Sequence, residues 1–357
     1  LRPSLALLPL AALALGFAAA PLRAAFPNLE QRERYVAIDN ACGWPQMVLL
    51  PDGNLACILW PQPSHSLTEG AAECWVSTDG GKNWARAGVP VPHGPTTNRM
   101  NHAAGLTPRG DLLALVSGWN NRKPIDDGRS WQQFPEITDP ADPERRPTPF
   151  GRILPLDDGR LGVFLYSDEL AFFTSDDNGR TWAKRGVAST GRLHNETTWL
   201  RLTNGDLYAA ARTGEDRLLH GLRSTDQGKT WKFERELTLP MQHPADLTLL
   251  PDGRVLLSYG VRNDGRWGIE VRVADAEARV WSPPIQLVDL EGSTDQPEAA
   301  APARDGGYPT TVVLPDGTLV TAYYSRGVPS HMRYHVGVVR WRLPSAQAPS
   351  FITQPKS

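Results

Sequence analysis

Six residues of this 357-residue sequence share one position, each eight residues ahead of the Asp, or its equivalent, of a Gly-containing turn: Trp44, Asn101, Phe150, Glu196, Pro244 and Tyr308. Two of them, Glu196 and Tyr308, are ionisable, a carboxylate and a phenol, and these are residue types used in general acid and base chemistry. The same stretches carry other polar side chains, namely His102, Arg152, His194, His243 and Asp246. Residues at one register of a repeat occupy equivalent places in space, so this group is expected to ring one end of a common channel. Lone histidines more often serve as hydrogen-bonded scaffold than as catalysts. No Glu-x-x-His or clustered Cys/His spacing calls for a metal, and no metal or cofactor is expected.

The shared register comes from six segments: WPQMVLLPDGNLACILW, NHAAGLTPRGDLLALVSGW, FGRILPLDDGRLGVFLY, ETTWLRLTNGDLYAAAR, PADLTLLPDGRVLLSYG and YPTTVVLPDGTLVTAYY. They superpose on Gly53, Gly110, Gly159, Gly205, Gly253 and Gly317, which step by 57, 49, 46, 48 and 64 residues. Apolar runs of strand length flank Asp-Gly, Asn-Gly or Arg-Gly dipeptides that accept the positive φ of a tight turn, so each segment predicts a hairpin. A second periodic signal is S-x-D-x-G-x-[TN]-W, met at Ser77 to Trp84, Ser175 to Trp182 and Ser224 to Trp231, with its second half at Asp126 to Trp131 and a further tryptophan at Trp281. In such a box the Asp accepts backbone N–H bonds, the Gly relieves the turn and the Trp packs between sheets, so its expected role is structural. Radial repetition of four-stranded sheets limits exposed edges, and the chain predicts an all-β, six-bladed β-propeller. Arg34 to Ile38 is expected to pair with Tyr334 to Trp341, so that an N-terminal strand closes the last blade.

With 37 Lys+Arg against 39 Asp+Glu the formal charge is −2, and nothing predicts binding to nucleic acid or an anionic membrane. Residues 1–25 read as a secretory signal, with Arg2 ahead of an apolar run and small residues at Ala18 to Ala20 and Ala24 to Ala25. As a membrane anchor the run is short of the ~20 residues that span a bilayer, and Pro9 and Gly16 interrupt it. A secreted or periplasmic protein is expected, with the propeller over 26–341 and a tail over 342–357. Cys42, Cys57 and Cys74 all fall in the first repeat, either as buried small hydrophobes or with one pair bridged.

Asp boxes in a six-fold repeat make residues 35–341 resemble the sialidase (neuraminidase) superfamily. That resemblance implies a retaining exo-α-glycosidase acting on a glycan or glycoconjugate. The family's Tyr nucleophile falls on Tyr308, the Glu that activates it on Glu196, and two arginines that hold the sugar's carboxylate on Arg212 and Arg262. A neutral tyrosine suits a sugar that bears a carboxylate on its anomeric carbon, because an anionic nucleophile would approach against like charge.

Two departures are visible. Gly43-Trp44-Pro45 stands where sialidases carry Arg-Ile-Pro, so one arm of the carboxylate clamp is replaced by an indole able to stack on a sugar or to close the hub. The loop 61–70 has no Asp for the expected acid/base and offers Glu69 or His65 instead. Asn101, His102, Arg152 and Asp246 join Trp44, Arg212 and Arg262 as candidate substrate-binding residues. Each has a plainer alternative: Tyr308 as hub packing, Glu196 as the ion-pair partner of Arg212, Arg262 as a solvated charge. Beside the sialidase reading stand a hydrolase or lyase for another glycoside on the same fold, and a non-catalytic carbohydrate-binding propeller.

Overall fold

All six turn glycines adopt φ between 80° and 90°, and each closes the hairpin expected of it. In a computed structural model of the chain, the described residues are 29–65, 68–94, 99–116, 119–124, 130–135, 137–138, 146–290, 305–328 and 331–343. The expected signal at 1–25, the half-box from Asp126 to Arg129 and most of the expected tail lie outside them. The described residues form strands and turns with no helix. Four-stranded antiparallel meanders span 46–91, 102–133, 148–190, 194–236 and 242–289, and a last group of three strands spans 305–342.

The fourth strand of that last group is Glu30–Asp39, which pairs antiparallel with His335–Arg342 and places Tyr35 opposite Val338. It runs beyond the Arg34 to Ile38 expected at both ends. The first and last described strands thereby share one sheet, and the ring is closed by backbone hydrogen bonds.

Six separate blades were expected, whereas the described residues form five hydrogen-bonded sheets. Meanders 102–133 and 148–190 merge into one eight-stranded sheet because their inner strands pair in parallel, Gly151, Arg152 and Ile153 opposite Ala103, Ala104 and Gly105. Gly105 permits this approach, since a Cβ there would lie 1.9 Å from the carbonyl oxygen of Ile153. No periodicity in the sequence reports such a seam, because it depends on one missing methyl group.

The Asp boxes build the outer joints. Asp79 Oδ1 accepts the backbone N–H groups of Lys82 and Asn83 at 3.0 Å, and Asp177 and Asp226 repeat the arrangement in their own boxes. Each box Trp donates its indole N–H back to the box Gly carbonyl, at 3.0 Å for Trp84 and 3.2 Å for Trp182 and Trp231. The glycines seat the turn against the preceding meander: Gly228 on Phe172, Gly179 on Leu113 and, across the closing seam, Gly81 on Val320. Trp231 then meets Phe164 at 4.8 Å and Phe172 at 5.4 Å between ring centroids. All three cysteines are buried and free, so no bridge forms.

Two outcomes follow from these joints. Gly105→Ala is expected to destabilise the protein by about 1–3 kcal/mol in a urea titration, the range for forcing extra volume into a packed site; unchanged stability would mean the seam is loose. Burial pushes the Asp79 and Asp226 carboxyls up, but the hydrogen bonds of their boxes outweigh it and hold both at about 2, below the ordinary 3.8. Their contribution is therefore complete above pH 3.8 and lost as pH falls towards 2. The double variant Asp79→Asn, Asp226→Asn should be less stable at neutral pH and show a flatter loss of stability over that acid window, read by circular dichroism.

Candidate functional site

The inner strands do not run evenly to the hub. The strand His194–Arg201 slips register between His194 and Thr197, and Asp305–Val313 slips between Gly307 and Thr310. Glu196 and Tyr308 sit inside these two bulges, and Tyr308 takes a positive φ of 53°. Bulges re-aim side chains, and a non-glycine residue held in this region costs on the order of 1–3 kcal/mol that the surrounding fold must offset.

The re-aimed side chains meet. Tyr308 donates its hydroxyl to Glu196 Oε1 at 2.6 Å, across 112 residues of sequence. Arg212, on the strand Leu207–Thr213, donates Nη1 to the other oxygen, Oε2, at 2.5 Å. Glu196 thus has one oxygen on a phenol and one on a guanidinium, while its side chain is only 8% exposed. Burial pushes the Tyr308 hydroxyl well above its ordinary pKa and the Glu196 charge pushes it further, so the phenol is neutral until its proton is taken.

Arg262 follows the strand Val255–Val261, with its guanidinium carbon 5.5 Å from the centre of the Tyr308 ring. Its Nε donates to the carbonyl of Gly306 at 3.0 Å, and Nη1 lies 3.3 and 3.4 Å from the two ring nitrogens of His243. His243 is held neutral: burial lowers its pKa to about 2, helped by Arg262 and Arg212. Arg262 Nη2 and Arg212 Nε are buried donors without a partner. Unsatisfied charged donors of this kind are stabilised by a bound acceptor, and an anionic group supplies one.

Trp44 stands where the resemblance led one to expect an arginine. Its ring lies 5.3 Å from that of Tyr308 and stacks on Trp60 at 6.2 Å. Beyond it His65 packs edge-on at 5.2 Å, and His65 Nδ1 lies 2.5 Å from Asp305 Oδ2. Tyr324 and Tyr334 each donate a hydroxyl to Asp305 at 2.9 Å. Asp305, Tyr324 and Tyr334 were not legible as site residues: Asp305 lies outside the register of the repeat, and both tyrosines read as parts of apolar strands. Cys42, His65 and Asp305 also offer one donor atom each within 4.8 Å of one another. Both Asp305 oxygens already accept tyrosine hydroxyls, so hydrogen bonds account for this carboxylate without an ion.

Other expected site residues fall elsewhere. Arg152 and Asp246 bind each other instead of joining the tyrosine: Arg152 Nε reaches Asp246 Oδ1 at 2.7 Å and Nη2 reaches Oδ2 at 2.5 Å. Thr311 N–H adds a bond to the same carboxylate at 2.7 Å. The physical reason is the strand period, since both residues lie two positions past Phe150 and Pro244 and so one step deeper in the channel. Beyond their bridge a cavity of about 590 Å³ opens at the other mouth, lined by Leu49, Thr107, Pro155, Leu249 and Val313. His102 is fully buried between the carbonyls of Trp44 and Arg99, and burial lowers its pKa to about 4, so it is scaffold. Asn101 is half-buried just before its strand, and Glu69 is exposed in its loop.

The sequence matches the BNR repeat-like domain over residues 116–321 and the BNR/Asp-box repeat over 75–86. No curated protein matches it. Among solved structures, a protein of unknown function from Dyadobacter fermentans is 22% identical, with a TM-score of 0.73 over 87% of this chain and 98% of that one. A point mutant of the NanB sialidase from Streptococcus pneumoniae is 15% identical, with a TM-score of 0.63 over 86% and 68%. A sialidase from Trypanosoma rangeli is 14% identical, with a TM-score of 0.60 over 84% and 55%. The chain thus spans between about half and two thirds of the length of these two sialidases, and at such identities the likeness is one of fold.

Removing Arg212 tests whether the carboxylate depends on it. Arg212→Met leaves Glu196 buried with half its partners and is expected to cost about 3–5 kcal/mol of stability by chemical denaturation, recovered in large part by adding Glu196→Gln. Strict additivity of the two changes would argue against the pairing.

Proposed function

Because this chain belongs to the BNR repeat-like domain family, whose fold it shares with sialidases, we propose that it is a retaining exo-glycosidase of sialidase type acting on a terminal α-linked acidic sugar. The observation that carries the reading is the 2.6 Å hydrogen bond from Tyr308 to Glu196. In this reading Tyr308 attacks the anomeric carbon while Glu196 Oε1 takes its proton, so charge builds on the phenolic oxygen only as the bond forms. Arg262, with an unpartnered Nη2 beside the Tyr308 ring, and Arg212, with an unpartnered Nε, are the groups for the sugar's carboxylate. Water later releases the sugar from the tyrosine with net retention. Counting the eight-stranded sheet as two meanders, we read the propeller as six-bladed over 26–341, exported under the signal at 1–25.

One observation favours a second reading. The third arm of a carboxylate clamp is replaced by Trp44, whose ring contacts Tyr308 itself. A site with an indole in that place also suits a glycoside other than a sialoside, cleaved by the same pair.

The test is release of 4-methylumbelliferone from its α-sialoside. Glu196→Gln is expected to lower kcat by roughly 10²–10⁴-fold, and Tyr308→Phe, which keeps the ring packing, should abolish accumulation of a glycosyl-enzyme in mass spectra. A folded wild-type protein inert on every sialoside but active on another glycoside in a library screen would select the second reading; undiminished turnover by Tyr308→Phe would reject both.

A further inference from the structure

We propose that His65 is the acid/base that serves the leaving group in this site, with Asp305 as its positioning residue, a dyad in place of the single carboxylic acid that the resemblance leads one to expect. The inference rests on the glycosidase reading above. It begins with the loop after the first hairpin, where Glu69 and His65 are the candidates: Glu69 is exposed, whereas His65 packs against Trp44 and is bonded to Asp305.

Geometry gives that bond its meaning. Asp305 and Tyr308 lie three residues apart on one strand, so the group that orients the imidazole and the group that attacks the sugar share a rigid element. The imidazole and the phenol both pack on the indole of Trp44, at 5.2 and 5.3 Å, which puts a proton donor and a nucleophile around one aromatic surface. Asp305 is itself pinned by Tyr324 and Tyr334. A carboxylate on Nδ1 fixes that nitrogen as N–H and makes Nε2 the one that exchanges protons, the division of labour that an Asp imposes on a catalytic His. The His65 side chain is 41% exposed, open enough for a leaving group to reach it.

The proton balance closes without another reactant. In the first step the Tyr308 oxygen bonds the anomeric carbon, its proton passes to Glu196 Oε1, the glycosidic C–O bond breaks, and the departing oxygen takes the Nε2 proton of the His65 imidazolium. In the second step neutral His65 takes a proton from water, the water oxygen bonds the anomeric carbon, the Tyr308–carbon bond breaks, and Tyr308 recovers its proton from Glu196. Asp305 stays anionic throughout: burial raises its pKa, but the bonds from His65, Tyr324 and Tyr334 outweigh this and hold it below the ordinary range. The titratable and charged groups around the dyad are Cys42, Tyr324 and Tyr334, with Arg326 over the Tyr334 ring.

The experiment compares the full chain with His65→Gln and Asp305→Asn on two substrates, 4-methylumbelliferyl α-sialoside, whose leaving group departs with little help, and a sialyl galactoside, whose leaving group needs a proton. His65→Gln, at a partly exposed position, is expected to lower kcat/KM on the galactoside by roughly 10²–10⁴-fold and far less on the aryl sialoside. Azide, a nucleophile that needs no deprotonation, should restore its slowed second step. Asp305→Asn should lower kcat more than it changes KM. Equal losses on both substrates without azide rescue, or stoichiometric zinc required for turnover, would overturn the dyad while leaving the Tyr308–Glu196 reading intact. A wild type inert on both substrates would overturn both.

Discussion

Closure of the ring is the constraint on which everything else in this molecule depends. The strand Glu30–Asp39 completes a sheet whose other three strands come from the far end of the chain, and only a closed ring turns repeated hairpins into a hub. Tyr308 lies on the innermost strand of that shared sheet, and its partner Glu196 lies 112 residues earlier on another. Were the last sheet left with an open edge, the distance between them would be set by loop flexibility instead of by packing. A loosely held pair of this kind loses much of the advantage of preorganisation.

Within the hub the decisive economy is the sharing of one carboxylate. A buried anion is costly unless its oxygens are occupied, and Glu196 has Arg212 on one oxygen and the Tyr308 hydroxyl on the other. The ion pair occupies one oxygen and leaves the other to the phenol, so the contacts that hold this residue in the hub also aim it at Tyr308. The guanidinium nitrogens Arg212 Nε and Arg262 Nη2 are buried and meet no protein acceptor.

Much of the ring was legible because turn chemistry and strand alternation are local. Asp-Gly and Asn-Gly turns, Asp boxes and inner-strand registers are written in a few consecutive residues, and the shared position of Glu196 and Tyr308 followed from counting. What escaped was non-local. Arg152 and Asp246 read as rim residues because the count ignored the two-residue period that drops them one step into the channel, where they bind each other. Asp305 escaped because it stands outside the register, and the imidazole it bonds, that of His65, is 240 positions away. The joining of two meanders into one sheet turned on the space left by Gly105 against Ile153, a contact between segments that no window of sequence contains.

That joint makes the ring mechanically uneven. Around most of the circumference neighbouring sheets touch through side chains and single bonds such as Met47 N–H to Thr310 Oγ1. Between Ala103 to Gly105 and Gly151 to Ile153 the ladder is backbone to backbone, and it behaves as a splint. To move those two inner strands apart would break backbone hydrogen bonds, whereas at the other seams between described strands no such ladder stands in the way.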